Sequence, residues 1–150
     1  MQHHANVIED PGGIADLVRS MRRVAVLGIK TEQQAGQPAF DIPHYLQRAG
    51  IEVIPVPVYY PEVTEILGQQ VYRKLADIPG EIDVVDVFRR PQDIDAHVED
   101  ILAKQPTAVW FQTGIRHDAA ARRLAEVGIK VVQDRCLMIE HRRSGSRSAA

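Results

Sequence analysis

The sequence has a single cysteine, almost no net charge and no long apolar run. Because Cys136 is the only cysteine among 150 residues, no internal disulfide framework is possible, and we expect a cytoplasmic protein. The 18 Lys and Arg residues are balanced by 20 Asp and Glu residues, which gives no support to a general nucleic-acid or membrane binder. Any site for an anion must therefore be local.

No apolar stretch approaches the roughly 20 residues of a membrane span. The first residues, MQHHANVIEDPGG, lack the basic and apolar regions of a signal peptide. We therefore expect neither a membrane protein nor a secreted one. A hydrophobic share of 45% over this length is enough for one domain with a real core.

Short apolar segments alternate with amphipathic ones along the chain, which predicts strands alternating with helices. The predicted strands are residues 24–28, 51–58, 84–88, 107–111 and 129–132. Because Pro55 and Pro57 fit poorly in a central strand, an end of the second strand near Ile54 is an alternative. The predicted helices are a lead-in helix over 13–23, a helix that starts at Pro38 or nearer Asp41 and ends by Gly50, and further helices over 62–67, 91–104, 118–127 and 134–141, with a helical turn over 74–78.

Strands that alternate with helices through short connections must be parallel, with helical crossovers on both faces of the sheet. The sequence thus predicts an α/β domain over residues 24–141, a three-layer, Rossmann-like, doubly wound sheet of about five parallel strands. Residues 1–23 form the lead-in segment, and residues 142–150 lack apolar content and are predicted to be a disordered tail. Ligands of such sheets bind at the carboxyl ends of the strands.

The junction after the third predicted strand, in the segment DVVDVFRRP, points to an anionic ligand. Arg89 and Arg90 directly follow Phe88, and Pro91 opens a helix. Guanidinium groups match phosphate oxygens bidentately. Cations at a helix N-terminus are electrostatically disfavoured, so two of them there suggest a use other than a solvated helix start.

The other strand ends leave alternatives open. Gly28 allows either a tight turn or the close approach of a phosphate, and Lys30 is either a phosphate ligand or an exposed loop lysine. Phe88 either stacks on a base or completes the core. Neither a G-x-G-x-x-G nor a G-K-[ST] fingerprint is present.

Two related folds are disfavoured by the residues at the strand ends. A phosphoacceptor receiver domain needs acidic residues after the first strand and an aspartate after the third. This chain has Gly28-Ile29-Lys30 after the first strand and Phe88-Arg89 at the end of the third. A nicotinamide-binding domain expects an acidic residue after the second strand to hold the ribose. That place holds Pro57, Val58 and Tyr59.

No metal site and no catalytic residue are predicted. None of the six histidines has metal-ligand spacing with Cys136 or a carboxylate. Asp134, Cys136 and His141 together suggest a nucleophile, but no cysteine-centred family signature surrounds them. A packed thiol is the favoured interpretation of Cys136.

Five segments in order carry a family resemblance: VAVLG, PAFDIPHYLQRAGIEVIPV, VDVFRRP, AVWFQTGI and VVQDRCLMIEH. Over Val24 to His141 the chain resembles the small stand-alone CoA-binding proteins, which are similar to the CoA-binding domain of the succinyl-CoA synthetase α subunit. The resemblance implies a Rossmann-like domain that holds CoA or an acyl-CoA across the strand ends. It implies no catalysis, because the phosphohistidine and ATP-grasp domains of the synthetases have no counterpart in this length.

The resemblance also implies which residues bind CoA. Residues 28–30 would lie near the phosphates, 38–40 would begin the helix that faces the pyrophosphate, and 56–58 would border the ligand. Residues 88–90 would flank the adenosine and its 3′-phosphate, and 112–114 would complete the rim. The implied set is Gly28, Ile29, Lys30, Pro38, Ala39, Phe40, Val56, Pro57, Val58, Phe88, Arg89, Arg90, Gln112, Thr113 and Gly114.

The chain departs from the family pattern at two places. It has Gln37-Pro38-Ala39 where the family often has Arg-Pro-Ser, and Pro57-Val58 where Asn-Pro is common. A protein-interaction module that has kept the fold and lost the ligand is therefore the main alternative, with a nicotinamide-nucleotide binder as another. A homo-oligomer or a protein partner is compatible with the sequence.

Overall fold

The computed structural model describes residues 4–145 and contains a five-stranded sheet in which every pair of neighbours is parallel. Its strands are β1 Arg23–Leu27, β2 Glu52–Val56, β5 Val84–Val87, β6 Ala108–Phe111 and β7 Lys130–Val132. The order across the sheet is β2-β1-β5-β6-β7. The predicted doubly wound α/β fold is confirmed.

Helices cover both faces of the sheet, and among the described residues none is long and apolar enough to cross a membrane. The α-helices are α1 Pro11–Ser20, α2 Pro38–Arg48, α3 Asp95–Lys104, α4 Asp118–Glu126 and α5 Leu137–Glu140. Single 3₁₀ turns occupy Glu32–Gln34, Leu75–Asp77 and Pro91–Asp93.

The alternation of side chains along the strands divides the core into two halves. Val24 and Val26 of β1 pack with α1, α2 and α5 on what we call the first face. Ala25 and Leu27 point the other way and pack with α3 and α4 on the second face. Because both faces of the sheet are covered, its strands are continuous apolar runs.

Helix α2 begins at Pro38 and runs through Pro43, so the alternative start near Asp41 is wrong. Pro38 occupies the first turn, where a missing N–H costs nothing. Pro43 has no N–H to donate to the carbonyl of Ala39, four residues earlier. The N–H of Lys30 donates to that carbonyl instead, at 3.1 Å, which satisfies the acceptor and ties the loop after β1 to the helix.

The predicted helix over 62–67 is wrong. The chain forms a hairpin there, with β3 at Glu65–Ile66 and β4 at Gln69–Gln70. The two residues between the strands, Leu67 and Gly68, both have positive φ, at 55° and 73°. Such a two-residue loop matches the twist of a hairpin and excludes a right-handed helix.

The chain remains helical beyond the predicted end of the domain. A π-helical turn spans His141–Gly145, where a disordered tail from residue 142 was predicted. The carbonyl of Ser144 accepts from Arg19 Nε of α1 at 3.0 Å, and the Ser144 hydroxyl donates to Glu140. These polar contacts hold the turn in place although it lacks apolar residues. The rest of the predicted tail lies outside the described residues.

Asp86 lies in the middle of β5 and is fully buried. It is in register with Val26 and Trp110 of the first-face core, and neither of its carboxylate oxygens has a hydrogen-bond partner among residues 4–145. Burial disfavours the charged form and raises the pKa of Asp86 well above its usual value. The side chain therefore destabilises the fold once the pH favours its ionisation.

We expect Asp86→Asn to gain stability relative to the parent protein as the pH rises from 4 to 7. The folded carboxyl binds its proton more tightly than the unfolded one, whose pKa is about 3.9. The parent therefore loses about 1.4 kcal/mol of unfolding free energy for each pH unit over which only the unfolded state ionises. Urea unfolding at several pH values checks this, with exposed Asp16→Asn as control. A pH-independent difference between Asp86→Asn and the parent would contradict it.

Candidate functional site

The carboxyl ends of β1 and β5 form the switch point of the sheet. From β1 the chain passes through α2 on the first face to β2 at one edge, and from β5 it passes through α3 on the second face to β6. The two connections diverge and leave a crevice between them, which is where doubly wound sheets bind ligands.

Gly28 closes the floor of this crevice. Its φ is +90°, and a Cβ built on it would lie 2.4 Å from the carbonyl oxygen of Phe88 at the end of β5. No side chain fits there unless the two strands move apart. The close packing of β1 against β5 therefore requires glycine, whether or not a ligand is bound.

Three cations converge on a cleft at this switch point, and we call it the cationic cleft. Its volume is about 370 Å³. The Nζ of Lys30 donates to the side-chain oxygen of Gln37 at the N-terminus of α2. Pro38 and Ala39, the first residues of α2, line the cleft, so the positive end of the α2 dipole also faces it. The lining residues are Lys30, Gln37, Pro38, Ala39, Phe88, Arg89, Arg90, Pro91, Gly114 and Ile115.

The two arginines of the cleft differ in how they are held. The Arg89 side chain is 14% exposed, and its Nε donates to His97 Nε2 at 3.1 Å. The Arg90 side chain is 71% exposed, and its Nε lies 2.9 Å from Asp93 Oδ2. Arg89 is thus fixed by the protein, whereas the exposed guanidinium of Arg90 can exchange Asp93 for another anion.

The groups around the arginines leave positive charge in the cleft. Burial and then the charge of Arg89 lower the pKa of His97, so a neutral imidazole accepts from Arg89. The hydrogen bond from Arg90 lowers the pKa of Asp93, which is the one carboxylate that pairs with both arginines among the described residues. A single negative charge beside two guanidinium groups favours a further anion.

Tyr59 lies beside the arginines of the cleft and is not among the site residues that the sequence predicted. The residue is 59% exposed, and the Arg89 guanidinium lies 5.6 Å from the centroid of its ring. Arg73 donates to the carbonyls of Tyr59, Tyr60 and Val63 and holds this loop in place. The run Tyr59-Tyr60 was a visible signal, but nothing in the sequence placed it beside Arg89.

A second cavity, of about 530 Å³, adjoins the cationic cleft on the first face. We call it the apolar pocket. The two cavities share the walls formed by Pro38, Phe88 and Ile115. The lining residues are Gly36, Pro38, Asp41, Ile42, Phe88, Gln112, Thr113, Ile115, Cys136, Met138 and Ile139. Cys136, which the sequence left as a packed thiol, is half-buried and forms part of this wall.

Apart from Gly28, which closes the floor of the crevice, the predicted site residues fall into three groups. Lys30, Pro38, Ala39, Phe88, Arg89, Arg90 and Gly114 line the cationic cleft, and Pro38, Phe88, Gln112 and Thr113 line the apolar pocket. The side chains of Ile29, Phe40, Val56 and Pro57 are buried, and Val58 packs on the second-face core. Only the main chain of the buried residues can meet a ligand.

The polar groups after β6 have partners within the protein. Gln112 Oε1 accepts from the N–H of Leu137 at 3.2 Å and positions the start of α5. The N–H of Gly114 donates to Asp134 Oδ1 at 2.7 Å. These contacts shape the walls of the two cavities, so this end of the site is built by the loop that leads into α5.

The fold and the crevice define a domain of the doubly wound α/β class with a candidate ligand site at the switch point of its sheet. The model of the CoA binding domain family matches residues 22–142. The chain belongs to this family, as its five motifs indicated.

The chain is also similar to individual proteins and solved structures. The protein YneT of Bacillus subtilis is 30% identical over 128 residues, which cover 85% of this chain and 91% of YneT. The Thermus thermophilus protein ID.343 is 36% identical, with a TM-score of 0.81 over 90% of this chain and 98% of that one. A dinucleotide-forming acetyl-coenzyme A synthetase of Ca. Korarchaeum cryptofilum shares the fold at 19% identity, with a TM-score of 0.65 over 78% of this chain and 27% of the synthetase.

We expect Gly28→Ala to destabilise the protein more than Gly50→Ala does. Both glycines have φ near +90°, but no atom of residues 4–145 lies within 4 Å of a Cβ built on Gly50. Both substitutions cost about 1–2 kcal/mol for the left-handed backbone, and Gly28→Ala adds about 1–3 kcal/mol for the overlap with Phe88. Urea unfolding measures the difference, and equal losses would show that β5 does not constrain this position.

Proposed function

We propose that this domain binds CoA or an acyl-CoA at the carboxyl ends of β1, β5 and β6 and catalyses no reaction of its own. The observation that carries the proposal is the cationic cleft joined to the apolar pocket. CoA is a molecule of matching character, because its phosphates lie at one end and its uncharged pantetheine arm at the other. Membership of the CoA binding domain family supports this choice of ligand.

The cleft suits the phosphates of CoA because its positive charge comes from three separate elements. Lys30 follows β1, Arg89 and Arg90 follow β5, and the N-terminus of α2 contributes its dipole. Arg89 is held in place before any ligand arrives, so binding costs it little side-chain entropy. We assign the 3′-phosphate to Arg90, whose exposed guanidinium can turn from Asp93 to the ligand.

Tyr59 is our candidate for stacking on the adenine. An exposed aromatic ring in contact with a guanidinium offers a flat surface with a polar edge. The three carbonyl bonds from Arg73 hold the Tyr59 loop against the cleft. The pantetheine arm would then run from the phosphates past Phe88 towards the apolar pocket.

The surroundings of Cys136 support a binding role over catalysis. The sequence suggested Asp134 and His141 as partners of this thiol. Asp134 accepts from Gly114 instead, and His141 Nδ1 lies 2.7 Å from the Tyr45 hydroxyl. Neither residue activates the thiol in this arrangement, since a base must lie within hydrogen-bond reach.

We expect CoA to bind saturably and NAD to bind much more weakly. The end of β2 carries no acidic residue for the ribose of NAD, since Pro57, Val58 and Tyr59 follow that strand. Isothermal titration calorimetry with CoA and NAD measures both. Heat that does not saturate with CoA at millimolar concentration would contradict the proposal and favour an interaction module.

We expect CoA to bind about tenfold more tightly than dephospho-CoA, because a charge-assisted hydrogen bond to the 3′-phosphate is lost. Arg90→Ala should bring the two dissociation constants together. Arg122→Ala is the matched control, because Arg122 is another exposed arginine with an ion-pair partner, Glu126, and lies outside both cavities. An unchanged preference in Arg90→Ala would refute the assignment of this residue.

A further inference from the structure

We infer that the apolar pocket holds the acyl group of an acyl-CoA, so that the domain prefers a medium-chain acyl-CoA to free CoA. This inference rests on the proposed function, because the phosphates must first be held in the cationic cleft. It goes further by assigning the apolar pocket to the group attached to the CoA thiol.

The walls of the pocket have the chemistry of an alkyl-chain site. Ile42 comes from α2, Phe88 and Ile115 follow the strand ends, and Cys136, Met138 and Ile139 come from the α5 region. Asp41 is the one carboxylate that the described residues contribute to the lining, and it accepts from the N–H of Gly36 at 2.9 Å. A chain without charge is thus the group that these walls favour.

The volume of the pocket suits a chain of intermediate length. At about 30 Å³ for each water-sized group, 530 Å³ has room for roughly eight carbons and part of the pantetheine arm. An acetyl group has two carbons and would leave the space for about six more to water. The pocket is also too large for the thiol of free CoA alone.

The apolar pocket lies directly beside the cationic cleft. Pro38, Phe88 and Ile115 border both cavities, so one molecule can lie in both without crossing the protein. The charged end lies where Lys30, Arg89 and Arg90 converge, and the apolar end lies against α5. An acyl-CoA has the same arrangement, with charged phosphates at one end and an apolar chain at the other. A nucleotide without an apolar chain would leave the walls of the apolar pocket without a contact.

We expect the dissociation constant to fall along the series CoA, acetyl-CoA, butyryl-CoA, hexanoyl-CoA and octanoyl-CoA. Each buried methylene should tighten binding by up to about fourfold, until the pocket is full. Calorimetry measures the series. Equal constants for CoA and octanoyl-CoA would overturn this inference and leave the proposed function intact, whereas no binding of either would overturn both.

A charge at the mouth of the pocket should remove the preference. Ile139 is 43% exposed and lines the pocket, whereas Val127 is 51% exposed at the end of α4 and lines neither cavity. Ile139→Asp should bring the constants for octanoyl-CoA and acetyl-CoA to within about twofold, and Val127→Asp should leave their ratio at the parent value. A ratio preserved in Ile139→Asp would contradict the assignment.

Cys136 offers an independent measurement, because it is the only cysteine of the chain and lies in the pocket wall. Saturating octanoyl-CoA should slow its alkylation by N-ethylmaleimide several-fold more than saturating acetyl-CoA does. Neither ligand has a free thiol that consumes the reagent. Equal alkylation rates with the two ligands would place the acyl group elsewhere and overturn the inference.

Discussion

The parallel pairing of β1 with β5 is the contact on which the site depends. Because Gly28 has no Cβ, the carbonyl of Phe88 lies against its Cα, and a Cβ there would be only 2.4 Å from that oxygen. The loops that leave the two strands therefore start side by side and diverge to opposite faces. Lys30 and Arg89 come from these two loops, and their convergence follows from this one approach of backbones.

An irregularity within α2 strengthens the same region. Pro43 leaves the carbonyl of Ala39 without its helical donor, and the N–H of Lys30 donates to it. The first turn of α2 and the loop after β1 are thereby joined by a main-chain bond. A residue that ordinarily disrupts a helix here orients a cation and the positive end of the helix dipole towards one cleft. Asp86 is buried in β5 without a hydrogen-bond partner among residues 4–145, so this strand also carries a stability cost.

The sequence predicted those elements whose signals are local. The β-branched runs around Val26 and Val85 identify strands that are buried on both faces, and their alternation with helices restricts the sheet to parallel pairing. Arg89 and Arg90 stood out because cations are unfavourable at a helix N-terminus. The hairpin around Gly68 was missed because its short segments have helical composition, and the turn depends on the positive φ of Leu67.

The remaining features depend on contacts between residues far apart in the chain. Tyr59 reaches Arg89 only because Arg73 holds its loop, and Cys136 lines a pocket with Ile42 only because α2 and α5 cover the same face. The sequence by itself determined the fold class and the family, since periodicity and ordered motifs are properties of short segments. Only the tertiary structure decided which cations are held or exposed and where the apolar pocket lies, because burial and distance arise when separate elements pack together.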